Sequence, residues 1–180
     1  MLIDAERSVL LVIDLQAKLV PALADHDELV ANVVWLMQIA QKLGVPVAAT
    51  EQYPKGLGPL VPKVRKLLPP EAIAAKNHFS AVAAQCLGQL PGQDRAQVVV
   101  VGAEAHVCVL QTSLELLEDG KEVYVVADAV GSRHPRDREI ALTRMRDEGI
   151  RVVTREMVAF EWLAEAATPI FREINQRYFK

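Results

Sequence analysis

Cys108 stands where an apolar run, Gln97 to Val101, gives way to an amphipathic segment through Gly102-Ala103-Glu104-Ala105-His106-Val107. A helix beginning near His106 puts Cys108 in its first turn, where free N–H groups and the positive end of the macrodipole favour a thiolate. The same N–H groups suit an oxyanion on an attacked carbonyl. A buried cysteine acting as a small hydrophobe is the plain alternative, and the local context leaves both open. Cys86, in Ala83-Ala84-Gln85-Cys86-Leu87, has apolar helical neighbours and reads as packing.

Asp14 ends the apolar run Val9 to Ile13. A carboxylate there is partly desolvated, which suits acid–base work, although a turn or helix cap uses the same residue type. Gln at position 16 argues against Asp-x-Asp phosphotransfer chemistry. Lys76 closes the apolar stretch Ala72 to Ala75, just before Asn77-His78-Phe79-Ser80. A partly buried ammonium there would steady a carboxylate, a thiolate or an oxyanion, whereas an ordinary loop lysine would be solvated. The histidines, His26, His78, His106 and His134, make no closely spaced ligand motif, so zinc has weak support. No glycine-rich phosphate loop of the dinucleotide or P-loop kind occurs.

The elements that must position these residues alternate along the chain. Short β-branched apolar runs at Val9 to Ile13, Val45 to Thr50, Ala72 to Ala75, Gln97 to Val101, Glu122 to Ala127 and Arg151 to Val153 predict six strands. Between them, helical spacing predicts helices over Asp27 to Leu43, Val61 to Leu68, about Ala81 to Leu90, about His106 to Leu117 and Arg136 to Glu148. A helical C-terminal region is interrupted at Thr168-Pro169. Right-handed crossovers then give an α/β, three-layer, doubly wound domain spanning 1–180. Its six-stranded parallel sheet is expected in the Rossmann-like order 3-2-1-4-5-6. Ligands of such sheets bind outside the carboxyl ends of the strands. Asp14, Gln52, Tyr53, Lys76 and Cys108 all fall at such ends, and that convergence is the functional signal.

Bulk composition narrows the classes. The chain has 180 residues, 51% hydrophobic and 24% charged, with net charge -3. It therefore carries no basic footprint for nucleic acid and no polybasic membrane patch. No stretch approaches the roughly 20 apolar residues of a membrane span, and the first apolar run lacks a cleavage pattern after it. With two cysteines, Cys86 and Cys108, there is no disulfide framework. The expectation is a soluble cytoplasmic protein acting on a small molecule.

Taken in order, Asp14-x-Gln16, Lys76-x-x-Phe79-Ser80 and Gly102 through Cys108-Val109-x-x-Thr112 resemble the motifs of the isochorismatase-like cysteine hydrolases, over nearly the whole chain. Thr50-Glu51-Gln52-Tyr53-Pro54-Lys55-Gly56-Leu57-Gly58 and Val126 to Arg133 resemble a metal-independent branch related to the isochorismatase-domain-containing proteins of animals. The resemblance implies a catalytic triad of Asp14, Lys76 and Cys108, and a cis peptide at Ala103–Glu104. It also implies an oxyanion hole from the amides of Glu104 and Cys108. Nicotinamidases of the family carry a metal-binding Asp-x-His after strand two, where this chain reads Glu51-Gln52-Tyr53. No metal and no cofactor are expected, and nicotinamide is a poor candidate substrate. The resemblance further implies homo-oligomers, with contacts near the helix after strand four and near His134-Pro135.

The leading expectation is hydrolysis of a small amide-like or acyl substrate through a thioester on Cys108, with Gln16, Gln52, Tyr53, Phe79 and His106 lining the substrate pocket. Two other classes stand beside it: Asp-driven vinyl-ether hydrolysis of an isochorismate-like molecule, and a non-catalytic scaffold retaining the pocket.

Overall fold

The structure is a computed structural model that describes residues 1–179. Six strands form one sheet in the order β3-β2-β1-β4-β5-β6. They are β1 Ser8–Ile13, β2 Val47–Gln52, β3 Ile73–Lys76, β4 Gln97–Ala103, β5 Glu122–Gly131 and β6 Arg151–Val153. Every neighbouring pair is parallel. Sheet order and direction match the expectation drawn from alternating apolar and amphipathic runs.

Strand β1 shows why those runs are continuous rather than alternating. All six of its residues are buried. Leu10 and Val12 enter a core with Val33, Leu36 and Met37. Those three belong to helix α1, His26–Lys42. Val9, Leu11 and Ile13 enter a second core with Leu110, Leu116 and Met145 on the opposite face. A strand covered on both faces has no solvent side to keep polar.

Helices α2 Pro54–Leu57 and α3 Pro62–Arg65 are single turns, each opened by a proline that presets φ. Helices α4 Leu110–Glu118 and α5 Pro135–Asp147 cover the second core. Helices α6 Arg155–Leu163 and α7 Pro169–Tyr178 return to the first, and Thr168 caps α7 by accepting from Phe171 N at 3.2 Å. Among the described residues no helix is long and apolar enough to cross a membrane.

The helix expected over Ala81 to Leu90 does not form. Ser80 Oγ accepts from Val82 N and Ala83 N, and Ala84 N donates to Ser80 O, which starts one turn. Gln85 then adopts φ 53°, and Pro91-Gly92 bars a restart. The β3–β4 crossover is therefore a chain of turns. It leaves an apolar cavity of about 350 Å³ against Val9, Leu11, Ala48 and Val98.

Gly102 sits where β4 turns toward the site. Its φ is +114°, and a Cβ there would lie 2.1 Å from Ile13 O of the paired strand. The β4–β5 register also shifts between Val100 and Gly102, a bulge of the kind that re-aims a chain next to a site. Gly102→Ala is expected to cost about 3 kcal/mol or more, because both backbone conformation and strand spacing must give. Urea denaturation checks this, and a loss within about 0.5 kcal/mol would contradict it.

Candidate active site

Parallel pairing brings the ends of β1, β2 and β3 within two residues of one another. Ile13 pairs with Thr50, and Gln52 with Lys76. Asp14, the next residue on β1, bends into the left-handed region at φ 49° and donates its N–H to Thr50 O at 3.1 Å. That bend leaves the carboxylate fully buried. Thr50 Oγ1 donates to Asp14 Oδ1 at 2.7 Å, and Lys76 Nζ donates to Oδ2 at 2.8 Å.

Lys76 is itself buried and its protons are spent inside the protein. Besides Asp14, its Nζ donates to Gln52 Oε1 at 2.6 Å and to Phe79 O at 2.9 Å. A buried ion pair endures only when further hydrogen bonds replace the lost water, and these contacts do so. Gln52 passes the restraint on by donating Nε2 to Asn77 O at 2.7 Å. Its amide orients Lys76, a role different from the substrate contact expected for it.

Gln16 is likewise corrected. Its Nε2 donates to Gln52 O at 2.9 Å and Gly58 O at 2.7 Å, while its Oε1 accepts from Gln52 N at 2.7 Å. With a fully buried side chain and every amide group committed to backbone, it laces two loops together and offers nothing to a ligand.

Cys108 lies on the other side of the pair, 6% exposed, within a π turn over Ala105–Val109 that precedes α4. The Ala103–Glu104 peptide is cis, at the position the resemblance implied. The thiol lies close enough to Asp14 and Lys76 to feel both charges, and its pKa is pushed up to about 12. Burial is the largest cause and the Asp14 carboxylate the next, with Lys76 pulling weakly the other way. Cys108 lies in the first turn of the helical segment, as expected, but desolvation opposes the thiolate that a helix start favours. Burial and the neighbouring Asp14 carboxylate thus both favour the neutral thiol.

Two contacts explain the motif residues Ser80 and Thr112. Ser80 Oγ donates to Glu115 Oε2 at 2.6 Å, and Thr112 Oγ1 accepts from Ala81 N at 3.0 Å. Both tie the loop after Lys76 to α4, the helix that continues from Cys108. The motifs thus hold two strand ends in one register. Their distance in sequence, and that of Thr50 from Asp14, hid these pairings. A Thr closing the strand expected over Val45 to Thr50 was the available signal for Thr50.

The remaining candidates divide. Tyr53 and Phe79 are about half exposed at the ends of β2 and β3, open to a ligand. The Tyr53 ring rests on Gly56, where a Cβ would meet its Cδ1 at 2.4 Å. His106 is engaged by protein, its Nδ1 2.9 Å from Ser132 Oγ. The Glu104 carboxylate accepts from Arg133 Nε at 2.8 Å.

Comparison with known proteins gives this arrangement a lineage. The isochorismatase domain model matches residues 8–157. The chain belongs to the isochorismatase-domain family. Among its family relatives, isochorismatase domain-containing protein 2 of Danio rerio is 39% identical over 176 residues, 97% of this chain and 88% of that protein. The mouse protein 2A is 38% identical, over 95% of this chain and 82% of its own length. A Caenorhabditis elegans structure described as MAR1 ribonuclease is 35% identical, with a TM-score of 0.88 over all of this chain and 93% of that one. The YcaC gene product of Escherichia coli, described as an octameric hydrolase of unknown specificity, is 25% identical with a TM-score of 0.91, over 99% and 91%.

Proposed function

We propose that this member of the isochorismatase-domain family is a cysteine hydrolase of small acyl or amide substrates, with Cys108 as nucleophile, Asp14 as acid–base group and Lys76 as the fixed cation. One observation carries the reading: a buried thiol beside a buried carboxylate that is itself locked by a buried ammonium. A core cysteine acting as a hydrophobe has no use for an ion pair that costs several kcal/mol to desolvate.

Because the thiol rests neutral, attack and proton transfer go together. Sulfur bonds to the carbonyl carbon while its proton passes to Asp14. The carbonyl oxygen takes the electron pair and is held by the N–H groups of Glu104 and Cys108. The carbon–nitrogen or carbon–oxygen bond then breaks, and Asp14 returns the proton to the leaving group. Water attacks the thioester and loses its proton to Asp14. The carbon–sulfur bond breaks, and the thiol reclaims the proton. Lys76 keeps Asp14 facing sulfur and offsets the negative charge in each step. Tyr53 and Phe79 meet the substrate at the rim.

The neutral thiol also favours a second reading, Asp-driven hydrolysis of a vinyl ether, in which Cys108 forms no bond. A ribonuclease activity, as described for the nematode relative, does not suit this site. The chain's charge is -3, and the site's cation is fully committed inside the protein. Homo-oligomeric assembly, as described for the octameric bacterial relative, belongs to the same proposal.

The test is hydrolysis of p-nitrophenyl acetate and a panel of small primary amides and vinyl ethers. Cys108→Ala is expected to lose about 10³-fold or more in kcat on acyl substrates. Activity retained in Cys108→Ala but lost in Asp14→Asn would favour the vinyl-ether reading and overturn the first.

A further inference from the structure

The turn that carries Cys108 is poorly held by its own backbone. The side chain of Glu104, its N-cap, accepts no hydrogen bond from the turn's free backbone N–H groups. Its carbonyl accepts from both Val107 N and Val109 N, the wide spacing of a π turn. The last rung of the β4–β5 ladder is Ala103 with Gly131. Beyond that rung, two side-chain contacts continue the pairing. Arg133 Nε donates to Glu104 Oε1 at 2.8 Å, and His106 Nδ1 meets Ser132 Oγ at 2.9 Å. His106 Nε2 also faces Asp137 Oδ2 in the first turn of α5, at 3.9 Å. The imidazole is thus held from two sides, by the Ser132 hydroxyl and by the Asp137 carboxylate. Ser132 is buried, and its carbonyl accepts from Ala24 N at 3.0 Å, so the anchor is firm.

We propose that Ser132 and Arg133 are positioning residues: with Glu104 and His106 they form a clasp that fixes the 104–108 turn against the end of β5. The inference rests on the cysteine hydrolase reading, because it concerns where the N–H groups of Glu104 and Cys108 sit when an oxyanion forms. Neither Ser132 nor Arg133 touches the reacting atoms. A turn displaced by a fraction of an ångström still admits substrate but aims its donors less well, so the loss falls on kcat rather than KM.

The experiment measures p-nitrophenyl acetate hydrolysis by Ser132→Ala, Arg133→Gln and Arg133→Lys, with Cys108→Ala alongside. Ser132→Ala and Arg133→Gln are expected to lower kcat about tenfold each while KM stays within about twofold. Arg133→Lys recovers most of the loss because it keeps a cation opposite Glu104. The thermal midpoint of Arg133→Gln should match wild type, since Arg133 is largely exposed. Unchanged kcat in both Ser132→Ala and Arg133→Gln overturns the clasp. So does a loss in Arg133→Gln that follows a lowered thermal midpoint and that Arg133→Lys does not recover. Wild-type turnover in Cys108→Ala instead overturns the underlying reading, a result separable from either.

Discussion

Asp14→Asn is expected to abolish steady turnover while making Cys108 easier to alkylate. The two effects share one cause. In the native site the Asp14 carboxylate raises the thiol pKa and is ready to receive its proton. The amide removes the negative charge but leaves Lys76 beside the sulfur, so the thiol pKa falls from about 12. Each unit of that fall gives about tenfold more thiolate at neutral pH, and iodoacetamide labelling should speed up accordingly. Turnover moves the other way, because neither the leaving group nor the attacking water has a proton partner. A loss of about 10²–10⁴-fold in steady-state kcat is expected, with the first acylation by p-nitrophenyl acetate retained. Its phenolate leaves without a proton. Slower alkylation in Asp14→Asn than in wild type would contradict this account of the site's electrostatics.

Lys76→Met is expected to damage both fold and activity. It leaves the fully buried Asp14 carboxylate with Thr50 as its remaining side-chain partner within the group described. Removing one member of a buried pair costs about 3–5 kcal/mol, seen as a lower urea midpoint. Cys108 also loses the one influence that lowers its pKa through charge. Steady-state kcat should fall about 10³-fold even where the variant is folded. A variant of wild-type stability and turnover would mean that the ion pair serves neither purpose.

The strands were legible because burial on both faces leaves unbroken apolar runs, and Asp14 and Lys76 stood out by ending two of them. Helix ends were legible at Gly149 and Thr168-Pro169 for similar local reasons. The segment after Ser80 was not, since helical composition says nothing of a residue such as Gln85 turning to positive φ. At the site, residue types at strand ends marked a crevice but not how each polar group is spent. Gln16 and Gln52 have the chemistry of ligand contacts, yet their amides are committed to backbone and to Lys76. The state of the thiol escaped for the same reason: a helix start argues for thiolate, and only the depth of Cys108 and the nearness of Asp14 reverse it. Ser132 and Arg133 showed in sequence only as the end of a stretch resembling the family, because their meaning lies in the cross-strand rung they extend.

The most direct measurement is intact-mass analysis of wild-type protein mixed with p-nitrophenyl acetate and quenched during the first turnover, followed by peptide mapping. The account predicts one added acetyl group, located on Cys108, that disappears as substrate is exhausted and persists in Asp14→Asn. Turnover by wild-type protein with Cys108 unmodified throughout, or with the acetyl group on another residue, would contradict it.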